Sequence, residues 1–559
     1  MLIWIHECAI FASCECGAVA WAARFCALMS LSTARAVALP LLKERMAILA
    51  DISEMARAAG AARAAETPEA ALAAASISSD DIAAASAAFF ADRANVVAKN
   101  AVSAKGIRAV SRVPEKMRLA TTTFDIEVKQ GERTDQERSG RCWMVAALNT
   151  MRMRVIKRYK LETFELSQAY PLFWDKLEKA NWFLENVIDT AAEPLHGRLV
   201  SFLLTDPVGD GGQWDMFKAL VKKYGVVPKE AMPETACSKN TYEMDMYLTR
   251  YLRACAKKLR DAAAAGASAD DLREQKRAMV ANVYNMLVIC LGEPPKTFDV
   301  RLRAADADEP KPSCMADAAD GVIGHAAPQG VDALSVGGAP AKPADDFKLA
   351  LSGTFTPQRF FEQVVDMNID DYVSLISAPT ADKPFGRTYT VARLGNVVEA
   401  GGVRYLNLPP ADLKAAAVAQ LKDGWPVWFG CDVDQFFIQD AGIMDEASLD
   451  TAATFGFDID EGFDKAAQLD YGESMMTHAM VLEGVNRDAQ GAPTLWKVEN
   501  SWGKDHARNG FDTIADPWFD KYVYQVVVDK KYLTDEQRTA LAIEPIVLDP
   551  WDPMGALAD

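Results

Sequence analysis

The sequence predicts an α+β fold, a helical half followed by a strand-rich half. Three observations predict it. Apolar residues recur at helical spacing through much of the chain up to about residue 290. Short runs with alternating apolar positions crowd the part after about residue 350, and no internal repeat relates the two parts.

Residues 1–30 are apolar and rich in cysteine, but His6 and Glu7 interrupt the opening and Arg24 falls late. That is not the uninterrupted apolar region of a signal peptide. Nor does any stretch reach the ~18 clean apolar residues of a membrane span. From about 56 to 89 the composition turns to Ala with Ser, Asp and Glu, a tethered helix or a disordered lead. The expectation is a dispensable extension over 1–75, with Met46 and Met55 as later candidate starts.

A helical run over 81–99 comes next, then a strand-like alternation of Thr122, Phe124, Ile126 and Val128. A polar loop with a Ser139-Gly140 turn signal runs into Cys142, and a helix follows over 144–158 with Val145, Leu148, Met151 and Val155 on one face. Helices are expected at 166–189 and 213–224, with Gly209-Asp210-Gly211-Gly212-Gln213 as a tight turn between them. A long helical region, 241–291, breaks near Ala264-Ala265-Gly266. Residues 303–346 are rich in Ala, Asp, Gly and Pro without periodicity, the composition of a flexible surface insertion. After it come a helix at 357–365 and strands at 386–392, 403–407, 426–432, 477–484, 495–498 and 522–528.

The expected organisation is therefore an extension (1–75), a helical half (76–240), a helical insertion (241–302), the low-complexity insertion (303–346), a β-rich half (347–548) and a tail (549–559). A net charge of −18 argues against an intrinsic preference for nucleic acid or anionic membranes, and the small cluster Lys157, Arg158 and Lys160 reads as a solvated helix end. Ten cysteines without regular spacing make no secreted disulfide framework, so reduced thiols and a cytoplasmic location are expected. No HExxH occurs, and no metal or cofactor is expected.

The chemistry starts at Cys142. A cysteine in the first turn of a helix faces the positive end of the macrodipole and unpaired N–H groups, which favour thiolate. Gln136, six positions earlier, can reach back across the loop and donate to an oxygen held near the sulfur. The commoner fate of such a cysteine is a buried structural thiol, so the stretch alone leaves both readings open. A thiolate needs a base, and there are five histidines. His6 and His325 lie in the extension and the insertion, while His196 and His506 stand in loop-like contexts. His478 is embedded in an apolar strand, which would fix its orientation. Eighteen residues on, Trp496 opens a strand ending at Asn500, the natural antiparallel partner of the His478 strand. Its carboxamide could accept the second imidazole N–H, and Trp502 could keep water from that bond. Individually, His478 reads as a core histidine and Asn500 as a turn former.

Together these pieces resemble the papain-like cysteine peptidases, and more closely their bleomycin hydrolase and bacterial aminopeptidase C branch. The resemblance rests on Gln136 to Cys142 within Ser139-Gly140-Arg141-Cys142-Trp143, on Met476-Thr477-His478-Ala479-Met480 and on Lys497-Val498-Glu499-Asn500-Ser501-Trp502-Gly503. Asp371-Tyr372-Val373-Ser374-Leu375, Val427-Trp428-Phe429-Gly430-Cys431 and the terminal Pro550-Trp551-Asp552-Pro553-Met554-Gly555-Ala556-Leu557-Ala558 extend it. It covers roughly 76–559 apart from the 303–346 insertion. It implies a papain-like fold with a helical half carrying the nucleophile and a β-barrel-like half carrying His and Asn. It implies Cys142 as nucleophile, His478 as base and acid, Asn500 as its orienter and Gln136 as oxyanion donor. Gly211 and Gly212 would then pair with the peptide backbone, and the tail would lie in the cleft so that only a free N-terminus fits. A homohexamer acting on peptide substrates is also implied, with 241–291 as candidate contacts between subunits. Two readings compete with the aminopeptidase: a broader amide hydrolase or acyl transferase using the same thioester, and a nucleic-acid-binding hexamer, which the charge disfavours. Asp559 follows Ala558 and departs from the family pattern. Either it is trimmed, which the mass of the mature protein would reveal, or the register of the cleft differs.

Overall fold

The structure, a computed structural model, describes Leu72 and residues 75–118, 123–129, 131–305, 349–507 and 510–558. Most of the expected 1–75 extension and nearly all of the 303–346 insertion therefore lie outside the described residues. The chain divides into two compact units, residues 1–100 and 101–559.

In the first unit α1 (Ser79–Ala91) opens with a capping box, the Ser78 hydroxyl accepting from the Asp81 N–H while the Asp81 carboxylate reaches back to the Ser78 N–H. None of its residues is buried. The helical run expected over 81–99 is interrupted at Asp92, and α2 (Arg93–Lys105) begins beyond it.

In the second unit, the 122–128 alternation yields only the short strand β1 (Ile126–Glu127) among its described residues. The helix that follows, α3 (Cys142–Tyr159), shows more than the one apolar face read from its sequence. Every residue from Cys142 to Met153 is buried, as in a helix enclosed on all sides. Its buried polar groups are therefore paired: Asn149 Nδ2 donates to Thr134 Oγ1 at 2.8 Å, and Arg152 donates to the Glu132 carbonyl at 2.6 Å.

Four further helices of the helical part bear on the site. Between α4 (Ala169–Asp189) and α5 (Trp214–Tyr224) lie the expected glycine-rich turn and, unexpected from the sequence, a short helix, Arg198–Thr205. α6 (Tyr242–Ala264) and α7 (Ala269–Leu291) form a hairpin packed on α4. Gly266 turns the chain between them at φ 93°, and Ser268 caps α7 against Asp271. Met244, Leu248, Leu252, Cys255 and Leu259 fill the inner face of α6, while Tyr242, Met246 and Tyr247 stay exposed.

β2 (Phe298–Arg303) and β3 (Leu349–Phe355) pair antiparallel, with Arg303 opposite Leu349. The large sheet holds β4 (Tyr372–Ile376), β5 (Arg387–Val391), β6 (Tyr405–Asn407), β7 (Val427–Cys431), β8 (Phe437–Ile438), β9 (Ile443–Met444), β10 (His478–Arg487), β11 (Pro493–Glu499), β12 (Phe511–Ala515), β13 (Val523–Asp529) and β14 (Ile546–Leu548). Their order is β14-β5-β6-β4-β13-β7-β10-β11-β12-β9-β8, with β1 added to β10. A helix absent from the sequence reading, α8 (Pro410–Lys422), packs on β13, β10 and β7, and α3 packs on β10 and β7. Strands covered in this way read as nearly continuous apolar runs; Val523 to Val528 and all of β7 are buried. The result is a mixed α+β protein, helical in its N-terminal half and sheet-rich in its C-terminal half. Among the described residues no helix is long and apolar enough to cross a membrane.

Register sets the site. His478 starts β10 opposite Cys431, and Val481 pairs with Glu499 at the end of β11. Asn500, one residue further, therefore arrives beside His478, while the start of α3 approaches from the helical half.

Candidate active site

Cys142 opens α3 and is buried. The backbone N–H groups of Ala479, Trp143 and Cys142 itself turn toward its sulfur and lower its pKa, as expected for a helix start, but burial outweighs them and pushes the thiol up to about 11. Desolvation, not the macrodipole, dominates at this sulfur. Ala479 belongs to β10, so the sulfur meets the residue next to His478.

His478 Nε2 and Asn500 Oδ1 lie 3.0 Å apart, and both residues are buried. Burial pulls the imidazole below its usual pKa; the Asn500 bond and the nearby Asp512 carboxylate oppose it. Trp502 covers the pair, its ring centroid 5.1 Å from that of His478. His196 and His506 do not share this bond with Asn500; His506 instead pairs with Asp512 at 2.9 Å.

Gln136 is held by the segment that follows Asn500. Its N–H donates to the Ser501 carbonyl at 2.8 Å, and its side-chain oxygen accepts from the Ser501 hydroxyl at 2.5 Å. That choice turns Nε2 the other way, where it donates to the Ser139 carbonyl at 2.7 Å inside the loop before Cys142. The loop itself is pinned by Asp210, which accepts from the Gly140 N–H at 2.7 Å and from Thr241 at 2.5 Å and pairs with Lys176 at 2.7 Å. Burial alone would raise the Asp210 carboxyl, but Lys176 and these donors hold it well below the usual carboxylate range.

Gly211 and Gly212 follow Asp210. The Gly211 carbonyl accepts from the Lys179 ammonium at 2.5 Å. A Cβ on Gly212 would stand 2.5 Å from the Trp143 ring, so the neighbour of Cys142 requires glycine here. The Gly212 N–H donates to the Leu557 carbonyl at 2.9 Å. The tail therefore runs back to this turn. Trp551 lies beneath the Arg198 guanidinium at 3.8 Å, Asp552 pairs with Lys383 at 2.9 Å, and Met554 and Leu557 are buried. Ala558 ends the short helical turn Pro553–Ala558, and Asp559 lies outside the described residues.

Sequence reading missed Asp512, Ser501, Asp210 and the Lys383–Asp552 pair. An acid inside the run Phe511-Asp512-Thr513-Ile514-Ala515 was the signal for the first. Asp210 looked like an ordinary turn residue. Among the described residues, no group of three or more His, Cys, Asp or Glu side chains could hold a metal ion.

Comparison with known proteins adds three kinds of likeness. The model of the Peptidase C1-like family matches residues 76–313 and 343–555. Aminopeptidase C of Streptococcus thermophilus is 45% identical over 435 residues, covering 78% of this chain and 88% of that protein. Aminopeptidase C of Listeria monocytogenes is 44% identical over 463 residues, 83% of this chain and 95% of its own. Bleomycin hydrolase of Homo sapiens is 38% identical over 432 residues, 76% and 86% of the two chains. A crystal structure of PepW from Lactobacillus rhamnosis HN001 superposes with a TM-score of 0.77 at 42% identity, covering 86% of this chain and 99% of that one.

Proposed function

The chain belongs to the Peptidase C1-like family and is a cysteine-type aminopeptidase acting on peptides; from that premise we propose that Cys142, His478, Asn500 and Gln136 carry its reaction. The observation that carries the proposal is the His478–Asn500 bond at 3.0 Å beside a buried cysteine at a helix N-terminus. With Asn500 accepting at Nε2, the other imidazole nitrogen is left for the thiol proton. Because burial favours neutral thiol and neutral imidazole, the proton moves to His478 as the sulfur attacks the scissile carbonyl. The new C–S bond gives a tetrahedral oxyanion, held by Gln136 and the Cys142 N–H. His478 then gives its proton to the departing amine, the C–N bond breaks and a thioester remains. Water, deprotonated by His478, attacks the thioester; the C–S bond breaks and the thiol regains a proton.

The tail supplies the substrate selection in this reading. Its backbone already occupies the Gly212 N–H, the kind of group to which a peptide substrate would bind in extended pairing. A bound peptide must therefore begin where the tail stops, and a blocked N-terminus collides with it. Oligomerisation is proposed through the α6–α7 hairpin, whose Tyr242, Met246, Tyr247 and Ile289 are exposed. The match to bleomycin hydrolase supports one second reading, a wider range of amide substrates for the same thioester chemistry.

The test is hydrolysis of free against N-acetylated aminoacyl amides. The expected outcome is cleavage of the free amides alone, abolished by a thiol alkylator and by Cys142→Ala. A chain ended after Asp552 should gain cleavage of the acetylated amides. Equal cleavage of both by the full chain removes the role of the tail and leaves the nucleophile standing.

A further inference from the structure

The residues behind Asn500 form a second layer that the catalytic roles above do not use. Asp512, fully buried on β12, accepts from Asn500 Nδ2 at 2.9 Å through one carboxylate oxygen. Its other oxygen lies 2.9 Å from His506 Nε2. The His506 ring meets Trp502 edge-on, centroids 4.9 Å apart and planes at 86°, and Phe437 packs against both. Trp502 in turn covers His478.

We propose that Asp512 and His506 are positioning residues for this reaction: Asp512 decides which way the Asn500 carboxamide faces, and His506 holds Asp512 while seating Trp502 over the His478–Asn500 bond. The proposal rests on the assignment of His478 and Asn500 above.

The two ends of a carboxamide have nearly the same shape, so packing alone cannot choose between them. An ionised carboxylate only accepts. Facing Asp512, Asn500 must present its NH₂ there and its oxygen to His478. That oxygen selects the imidazole tautomer protonated at Nε2 and leaves Nδ1 to take the thiol proton. A reversed carboxamide would demand a bare Nε2, put the proton on Nδ1 and remove the base. Among the described residues, no other side chain hydrogen bonds to Asn500.

The pair also sets the charge around His478. The titratable groups that act on it are Asp512 from β12, His506 from the loop after Asn500 and Asp434 from the turn after β7. Asp512 and Asp434 raise the imidazole pKa and His506 lowers it, against the larger downward effect of burial. The acid limb of the rate profile follows protonation of the neutral imidazole that must take the thiol proton. Removing Asp512 must move that limb to lower pH, and removing His506 must move it to higher pH.

The experiment compares wild type, Asp512→Asn and His506→Gln on a free aminoacyl amide across pH, with melting temperature as the check on folding. Asp512→Asn should lower kcat about ten- to hundredfold, the range of one charge-assisted hydrogen bond, with KM nearly unchanged. The acid limbs of the two variants should move in opposite directions. A merely structural role would move both limbs together or neither. A folded Asp512→Asn with wild-type kcat and an unmoved limb overturns the proposal. If Asp512→Asn does not fold, His506→Gln decides, and a limb that stays or moves to lower pH overturns it. Activity surviving in Cys142→Ala would instead overturn the underlying site assignment, and the pair with it.

Discussion

Cys142 shows how one residue carries opposing physical demands. Its place at a helix start supplies N–H groups that favour thiolate, yet enclosure by the sheet pushes the thiol up to about 11. Attack therefore depends on a partner that accepts the proton within the same dry site, and on a donor ready for the charge that develops on the carbonyl oxygen. Gln136 fits the donor role because its orientation is chosen for it: Ser501 donates to its oxygen, so Nε2 must point toward the nucleophile loop. Gln136→Ala should lower kcat on the order of 10²–10³ while KM changes little. Steady-state kinetics on a free aminoacyl amide decides this, and a loss confined to KM would assign Gln136 to ground-state binding instead. Gln136, Cys142, His478 and Asn500 were candidates in the sequence through motifs that resemble the cysteine peptidases; taken singly, His478 reads as a core histidine and Asn500 as a turn former. Ser501 and Asp512 were not candidates, because a hydroxyl and an acid acquire these tasks only when chain segments far from each other in sequence close around them.

At the scale of elements, the site depends on joining α3 to the β10–β11 pair. Arg152, in the middle of α3, donates to Glu499 at 2.5 Å, one residue before Asn500. Glu499 also lies 3.5 Å from Arg133, and beside it burial, with Glu499 as neighbour, pushes the Glu483 carboxyl well above its usual range. A buried carboxylate that loses its cation keeps its desolvation cost without the compensation. Arg152→Leu should therefore destabilise the protein by about 3–5 kcal/mol in urea unfolding. An unchanged midpoint would show that Arg133 alone suffices for Glu499. Helix spacing predicted α3 and its boundaries well, since Val145, Leu148, Met151 and Val155 all are buried. It did not predict that the opposite face is buried too, because a helix with polar residues such as Asn149 and Arg152 looks amphipathic until their partners are seen. α8 escaped for a related reason: its run of alanines between two prolines has little periodic contrast.

For the whole molecule, the sheet order explains why elements distant in sequence share one site. β7 and β10 are neighbours although 46 residues separate the end of one from the start of the other. The tail closes the arrangement by returning to Gly212. The low-complexity insertion stands apart from this logic. Arg303 and Leu349 are paired beyond a bulge, so the chain leaves and re-enters the hairpin at one place. The family match likewise skips residues 314–342. Each doubling of loop length costs only about 0.6 kcal/mol, so replacing residues 307–346 by a short turn should not destabilise the fold. Light scattering and kcat/KM on the shortened chain check this; loss of the native oligomer or of activity would assign the segment a structural task.

By itself the sequence determined the α+β class and the main helices and strands, and it offered the candidates for thiol chemistry. Those properties are local: periodicity, turn chemistry and the intrinsic reactivity of a side chain are written within a few residues of each position. Tertiary structure alone decided which way Gln136 and Asn500 face, how far burial moves Cys142 and His478, and where the tail docks. These depend on partners brought in from elsewhere in the chain, Ser501 for Gln136, Asp512 for Asn500 and Gly212 for Leu557. Hydrogen-bond direction and desolvation are properties of the assembled interior.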